Sequence, residues 1–552
     1  MKREPLKSQA DLLIDLFSQM FADLCDKYPS ESKSFQRDFE ELASRTTHEG
    51  VSFLTKTLPK LGKAIDESLE TLVLTVPQEF KRSHDNRAIP AFLQALLSTS
   101  YDPDGRLVRL SGSVLSHIRQ ICFFAYKYEL PYTPDQEDAV IDSFIQTEKE
   151  LAALEIPKDG KLLAIAREIV AKVLEDFDPQ DIRPKHGPGA VASGERLDEK
   201  WEFSRFYSGI HQMYPYYEYF MVGSGVELED RLEWYNGLNQ LDAGVAKVVL
   251  VPKDSRGPRL ISCEPLEYQW IQQGLNRSLV ERLESHRLTA GNVNFSSQEV
   301  NRNLAYTSSV TQEYATLDLK DASDRVSVQL VEALLPKELI PYFMACRSTA
   351  TKLPNGSIMS LHKFAPMGSA ICFSVEAFLF WALSVASISQ NSGRHYSRVA
   401  KLVYVYGDDI IVPVSYFPAV VHCLELFGLL VNKSKSFRYG KFRESCGMDA
   451  YDGIDVTPIR LHTLWSGKPS DASAYSSFIS YANALKAKGW SHCAERIKEL
   501  VEGVYGRVPF ALPTSTYPGW FCNSYWKALI KNLERGFEVR ENALTHSVEI
   551  RA

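Results

Sequence analysis

No Cys-x-x-Cys pair and no Cys/His cluster at zinc-binding spacing occurs in these 552 residues, so a zinc ribbon or finger does not organise the fold. The nine cysteines (Cys25, Cys122, Cys263, Cys346, Cys372, Cys423, Cys446, Cys493 and Cys522) are scattered, and reduced thiols in a cytoplasm are the expected state. Internal repeats and low-complexity tracts are absent, which leaves no sign of a repeat array or a biased tail. Positive charge is not in excess either. The net charge is -7 and the isoelectric point about 6.0, which excludes a protein that coats nucleic acid with a uniformly basic surface and leaves only a local basic channel. A long uninterrupted apolar run is also missing. Ala370 to Ile388 comes nearest, but Glu376 lies inside it and Ser374, Ser384 and Ser387 lower its hydrophobicity, so a buried helix is predicted rather than a membrane span. At the N-terminus Lys2 and Arg3 precede an apolar stretch that Asp11 and Asp15 interrupt, so no signal peptide is expected.

What is present is the composition of an ordinary globular protein, 45% hydrophobic and 24% charged. A chain of this length exceeds what one hydrophobic core organises, and several subdomains are expected. Leu12, Leu13, Leu16, Phe17, Met20, Phe21 and Leu24 recur at helical spacing, as do Leu162, Ile165, Ala166, Ile169, Val170, Val173 and Leu174. Pro179 to Gly194 breaks this pattern. Its Arg183-Pro184-Lys185-His186-Gly187-Pro188-Gly189-Ala190 reads as a surface loop; a phosphate-contacting role is the second reading, because Lys185 and exposed backbone amides suit it. The aromatic run Tyr214, Tyr216, Tyr217, Tyr219 and Phe220 reads as core or a protein interface before a base-stacking surface. From about residue 245 short β-type runs alternate with helices: a strand at Val245 to Val251 ending at Pro252, a helix at Leu275 to Leu283, a strand at Tyr314 to Leu319 and a hairpin at Thr349 to Ser360 turning at Pro354-Asn355-Gly356. A clearer hairpin joins Leu402 to Tyr406 with Ile410 to Pro413. Helices return at Ala474 to Lys488 and Cys493 to Gly503.

The turn of that second hairpin, within Tyr406-Gly407-Asp408-Asp409, carries adjacent carboxylates. Transfer of a nucleotidyl group requires in-line attack on a phosphorus atom, and two divalent cations about 3.5–4 Å apart stabilise both the attacking and the leaving oxygen. Magnesium requires hard oxygen ligands. Two carboxylates on a tight turn, facing a third at the end of a neighbouring strand, satisfy that need, with Gly407 supplying backbone freedom. Alone, the turn reads equally well as the exposed tip of an ordinary hairpin, although by composition the four residues arise by chance with a probability on the order of 10⁻². The segment Ala315-Thr316-Leu317-Asp318-Leu319-Lys320-Asp321-Ala322-Ser323-Asp324 decides between them: an apolar strand delivers Asp318 at its end, and Asp324 stands where a helical pattern starts. An isolated Asp after a strand is usually a helix cap; upstream of such a hairpin, Asp318 reads as the third metal ligand.

These segments resemble the palm motifs of viral RNA-directed RNA polymerases, and specifically the replicase catalytic (beta) subunit of the small single-stranded RNA bacteriophages, the leviviruses. The likeness runs from about residue 245 to 460. Val251 to Arg256, Arg259 and Cys263-Glu264-Pro265 are similar to the basic fingers motif. Asp318 to Ser327 is similar to the first palm motif, Met367-Gly368-Ser369-Ala370 through Ala382 to the second, Tyr406 to Asp409 to the third and Lys435-Ser436-Phe437 to the fourth. Phe442-Arg443-Glu444-Ser445-Cys446-Gly447 is more family-specific than the Gly-Asp-Asp signature. The chain departs from the phage pattern at Ala370, where a second Gly is usual, and at Ser374, where a Glu is usual.

The resemblance implies an α+β, right-hand polymerase. Its regions would be an N-terminal helical part with some of the fingers (1–240), fingers with the basic nucleotide-binding motif (241–300), a palm with the catalytic carboxylates (301–460) and a helical thumb (461–552). It implies RNA synthesis from nucleoside triphosphates on an RNA template without a primer, with two Mg²⁺ ions, or Mn²⁺ as a substitute, on Asp318, Asp408 and Asp409. Lys253, Arg256 and Arg259 would grip the triphosphate. Lys435 would protonate the departing pyrophosphate, Lys433 being the alternative. Asp324, Gly368 and Ser369 would contact the substrate, Ser369 either at the ribose 2′-hydroxyl or merely as a helix cap. His186, His362 and His422 have no partner spacing that supports catalysis. Also implied are the cytoplasm of a bacterial host, no membrane, and assembly with host elongation factors Tu and Ts and a small-subunit ribosomal protein. A reverse transcriptase is the nearest alternative, and a non-catalytic polymerase-like RNA-binding scaffold the alternative of another class.

Overall fold

The computed structural model describes residues 6–84, 87–221, 228–542 and 547–551. Lys2 and Arg3 therefore lie outside the described residues. The chain forms two compact units, Met1–Pro131 with Lys253–Arg256 and Val456–Ala552, and Tyr132–Pro252 with Gly257–Asp455.

The first unit brings distant parts of the sequence into one body. Helices Leu6–Lys27, Ser32–Glu49, Leu58–Thr71 and Gly112–Phe123 come from its beginning, and Ala472–Ala487, Ser491–Tyr505 and Tyr525–Glu534 from its end. The predicted stripe is core: Leu13, Leu16, Phe17, Met20 and Leu24 are fully buried. Buried polar groups join the two ends. The Asp23 carboxylate accepts the N–H groups of His492 (2.9 Å) and Cys493 (3.2 Å), neutralising free donors at the start of the helix Ser491–Tyr505. Buried Arg119 pairs with Asp66 and donates to the Val456 carbonyl at 3.2 Å.

The second unit mixes helices with small sheets. A four-stranded sheet has the order Gly257–Cys263, Val245–Asp254, Ala350–Lys352, Ile358–Ser360. The strand expected to stop at Pro252 continues to Asp254, with the proline exposed. The helix expected over Leu275 to Leu283 spans Leu266–Ser285; its first half is buried nearly all round, at Leu266, Glu267, Tyr268, Trp270, Ile271, Gln272 and Gly274, which erases the amphipathic period. A three-stranded antiparallel sheet has Asp409–Pro413 at its centre, between Tyr314–Leu317 and Tyr404–Tyr406. The predicted strand through Leu319 is interrupted at Asp318, after which Leu319–Lys320 pairs with Leu430–Val431 instead. The chain thus changes partners at the residue of interest. Phe442–Ser445, Met448–Tyr451 and Ile454–Asp455 form a further antiparallel sheet. The aromatic run is core at Tyr214, Tyr216, Tyr219 and Phe220, with Tyr216 stacked on Phe220 at 4.1 Å, while Tyr217 is exposed.

The apolar segment near residue 380 is the helix Cys372–Ser392, long and apolar enough by composition to cross a membrane but buried within this unit over 94% of its most apolar window. It packs against helices Lys161–Val173 and Phe417–Leu426 and against the sheet strands Tyr404–Tyr406 and Asp409–Pro413. Trp381 within it is fully buried. Trp381→Ala is expected to cost about 3–5 kcal/mol in a chemical denaturation experiment, because the sheet and two helices cannot all close onto the cavity.

Candidate active site

Register brings the first two carboxylates together. Ile410 pairs with Leu317 and Ile411 with Thr316, so Asp318 and Asp409 stand next to the last paired residues at the same end of the two strands, near enough for the Asp318 charge to raise the Asp409 carboxyl. Asp408 follows Gly407 in the two-residue turn closed by the Asp409–Tyr406 pair. Gly407 has φ 62°, and Asp408 is not in the left-handed region. That is the demand of a hairpin turn with glycine in first place. Space gives a second reason for glycine. A Cβ at 407 would lie 2.1 Å from Cε2 of Phe373, whose ring also meets Tyr406 edge-on at 5.3 Å and Phe295 at 5.8 Å.

Each outer carboxylate is held by a different element. Asp318 accepts a 2.8 Å hydrogen bond from Asn432 Nδ2 at Oδ2, and the half-exposed Lys435 ammonium lies 3.8 Å from the same oxygen. The Asp318 backbone joins in, its N–H donating to Ser436 Oγ at 3.1 Å and its carbonyl accepting from Asn432 N–H at 2.9 Å. Asp409 accepts the Ser445 hydroxyl at 3.3 Å on Oδ1 and the Cys446 N–H at 3.1 Å on Oδ2, while its carbonyl accepts Asn301 Nδ2 at 3.2 Å. Ser445 and Cys446 can do this because Ser445 pairs with Met448 across a tight turn in which both Cys446 (φ 50°) and Gly447 (φ 74°) are left-handed. Cys446 is thus strained so that its N–H faces the carboxylate. Arg443, fully buried in the same hairpin, donates to the carbonyls of Tyr314 (2.6 Å), Phe442 (2.6 Å), Arg438 (3.1 Å) and Gly440 (3.2 Å), tying the hairpin to the strand that carries Asp318.

Charge accumulates accordingly. The Asp409 carboxyl is pushed up to about 6 by burial and then by the negative charges of Asp408 and Asp318, against the pull of the Cys446 N–H. Beneath the turn, buried Glu376 is raised to about 8, first by burial and, among charges, by Asp408 and Asp324, while a hydrogen bond with Ser323 opposes the rise. Asp324 is raised to about 6 by burial, with Lys363 drawing it down and Asp321 and Glu148 raising it. Lys363 is itself fully buried, 3.2 Å from Glu148 and bonded to the Phe144 carbonyl at 2.8 Å. Asp324 occupies a one-turn helix, Ala322–Arg325; the longer helix expected there starts only at Val328, capped by the Ser327 hydroxyl. Among the described residues no three His, Cys, Asp or Glu side chains stand grouped so as to hold a metal ion. The donor chemistry nevertheless fits a hard divalent cation: oxygen ligands only, with Asp409 raised by burial and then by the two neighbouring carboxylates.

The remaining predicted residues divide. Gly368 has φ 121°, and a Cβ there would sit 2.2 Å from the Ser262 carbonyl oxygen, so the backbone itself requires glycine. Ser369 does not cap the helix that follows, whose first turn has no side-chain cap; its hydroxyl is buried without a hydrogen-bond partner. Arg256 forms a two-pronged ion pair with Asp254 (2.7 and 3.0 Å) and belongs, with Lys253, to the first unit, whereas exposed Arg259 belongs to the second with the carboxylates. Lys433 and Lys435 share one helical turn, and only Lys435 reaches Asp318. His362 meets Glu148 at 3.3 Å, and His186 packs among aromatic rings. Sequence reasoning missed Asn301, Asn432, Phe373 and Glu376 as parts of the site. Phe373 and Glu376 lay within the second palm-like motif without a role assigned to them, and Asn432 stands three residues before Lys435, whereas Asn301 carried no signal.

A family model described as RNA replicase, beta-chain, matches residues 147–466, a span that contains the whole of this carboxylate cluster, and the chain belongs to that family. It is 36% identical over 215 residues to the RNA-directed RNA polymerase subunit beta of Escherichia virus Qbeta, covering 39% of this chain and 35% of that one. It is 35% identical over 272 residues to the RNA-directed RNA polymerase beta chain of Escherichia phage MS2, with 49% and 46% covered. With that of Enterobacteria phage GA it shares 28% over 316 residues, or 54% of each. The matched regions thus span between about a third and about half of these relatives' length.

Two outcomes are expected. Gly407→Ala should lower stability by about 1–2 kcal/mol through the left-handed backbone. It should lower any activity by about a hundredfold, because the displaced turn carries Asp408 with it; a melting curve and a turnover assay on one preparation separate these effects. Glu376→Gln should change the pH profile of stability. A carboxyl whose folded value is raised contributes stability that is full below its ordinary value, 4.5, and lost as pH rises through about 8. Denaturation without divalent cations should therefore show the variant more stable than the parent at pH 9, by roughly 2–4 kcal/mol, and no better at pH 4.

Proposed function

We propose that the chain is an RNA-directed RNA polymerase that copies a phage genome from nucleoside triphosphates, with the second unit supplying the palm of a right-hand architecture. The observation that carries this reading is the strand pairing that ends beside both Asp318 and Asp409, with Asp408 on the adjoining turn. Relatives named RNA-directed RNA polymerase subunit beta or beta chain support it.

In this reading Asp318, Asp408 and Asp409 hold two divalent cations, Mg²⁺ or Mn²⁺. The ions supply charge stabilisation for the attacking 3′-hydroxyl and the departing pyrophosphate. The protein's own groups do the rest. Asn432 and Lys435 fix the Asp318 carboxylate, and Ser445 with the Cys446 N–H fixes that of Asp409, so neither has to be reoriented when substrate arrives. The Lys435 ammonium donates a proton to the leaving pyrophosphate oxygen. The unpartnered Ser369 hydroxyl bonds the ribose 2′-hydroxyl, and Arg259, in the same unit as the carboxylates, receives the triphosphate. Initiation without a primer, the host cytoplasm as the working compartment, and host elongation factors Tu and Ts with a small-subunit ribosomal protein as partners belong to the same proposal, on the strength of family resemblance.

The test is extension on an RNA template with labelled ribonucleotides and, in parallel, deoxyribonucleotides. Ribonucleotide incorporation is expected, with Asp408→Asn reducing it by about a hundredfold or more at a melting temperature no lower than the parent's. Preference for deoxyribonucleotides would favour reverse transcription, and full activity of Asp408→Asn would remove the two-metal assignment.

A further inference from the structure

The loop Arg183 to Ala190 has no part in the chemistry above, yet it is built with unusual care. Lys200, 2% exposed, directs its ammonium into the loop and donates to the carbonyls of Gly187 at 2.7 Å and Gly189 at 2.5 Å. The carbonyl oxygens are thereby turned toward a buried cation. The amide groups are not so engaged: among the described residues, no protein acceptor takes the N–H of Lys185, His186, Gly187, Gly189 or Ala190. Lys185 and Arg183 are exposed with no ion pair to a described residue, whereas nearby Arg196 is occupied by Glu199 and Asp198. Carbonyls tied down on a buried ammonium, open amides and two uncommitted cations form a receptor for an anion.

An aromatic surface lies beside it. Trp201 is 59% exposed and meets the His186 ring edge-on at 4.6 Å; His186 in turn lies 4.4 Å from the buried Trp270, so the exposed indole stands on an aromatic base rather than swinging free. The loop is also linked to the substrate turn, since Gln269 Nε2 approaches the carbonyls of both Ala190 (3.4 Å) and Gly368 (3.5 Å). Basic groups interleaved with an exposed ring fit single-stranded nucleic acid, whose phosphates take the charges and whose bases take the aromatic face.

We propose that Arg183 to Ala190 together with Trp201 binds single-stranded RNA, the loop amides, Lys185 and Arg183 receiving backbone phosphates and Trp201 stacking on a base. This rests on the polymerase reading only for the identity of the strand as template. The experiment is fluorescence anisotropy of a labelled single-stranded RNA oligonucleotide with the full chain across a salt series. Because binding needs no turnover, an inactive chain still gives a readable result.

Arg183→Gln with Lys185→Gln should weaken binding severalfold and reduce the slope of log affinity against log salt by about 0.7 for each phosphate that is no longer neutralised. Trp201→Ala should weaken binding about tenfold with the slope unchanged, since stacking releases no counterions. Lys185→Glu is a second variant at the same exposed position and should weaken binding further. Unchanged RNA affinity in these variants overturns the proposal. So does a raised KM for nucleoside triphosphate at unchanged RNA affinity, which would make the loop a triphosphate site.

Discussion

Carboxylates repel one another, and everything around the Asp318–Asp408–Asp409 edge is arranged to keep them together regardless. The cost is visible in Asp409, held near 6 by burial and its two neighbours. Three separate devices offset it. Asn432 and Lys435 hold Asp318, the strained Cys446 turn holds Asp409, and Phe373 packed on Gly407 seats the turn beneath Asp408. Each device comes from a different stretch of chain, so loss of one leaves two carboxylates oriented and the third free to swing away.

Behind this edge the charge is managed by neutralisation. Glu376, at about 8, is chiefly protonated at neutral pH, and Asp324 shares a buried network with Lys363 and Glu148. A neutral acid under the turn adds little to the repulsion above it. A charged one would add much, and only a bound cation or a protonated neighbour would compensate.

The elements themselves were legible where local pattern decides: the Leu6–Lys27 stripe, the Tyr404–Pro413 hairpin and the burial of the apolar helix at Cys372–Ser392 all follow from periodicity and from Glu376 within an apolar run. What was not legible is long-range. The break of the strand at Asp318 depends on Leu430–Val431, more than a hundred residues away. The sequence Phe442 to Gly447 stood out as a family signature without a reason; the reason is two contacts, Arg443 bonded to backbone carbonyls and Cys446 N–H bonded to Asp409, neither of which has any periodicity to betray it. Gly368 reads in sequence as a substrate contact, and the close approach of the Ser262 carbonyl adds a purely steric demand that only tertiary structure reveals. The grouping of the first 131 residues with the last hundred likewise rests on side chains such as Asp23, which caps a helix 470 residues later.

The hydrogen bond from Asp318 N–H to Ser436 closes a loop of 118 residues, and Asp409 waits 37 residues for Cys446. On a ribosome adding about 5–20 residues per second, Asp318 is therefore made several seconds before its clamp exists. Through that interval Asp318 lacks its Asn432 and Ser436 contacts, and the strand Tyr314–Leu317 waits for its partner Asp409–Pro413. The contacts that orient Asp318 and Asp409 are therefore complete only after the hairpin at 442–451 has been synthesised.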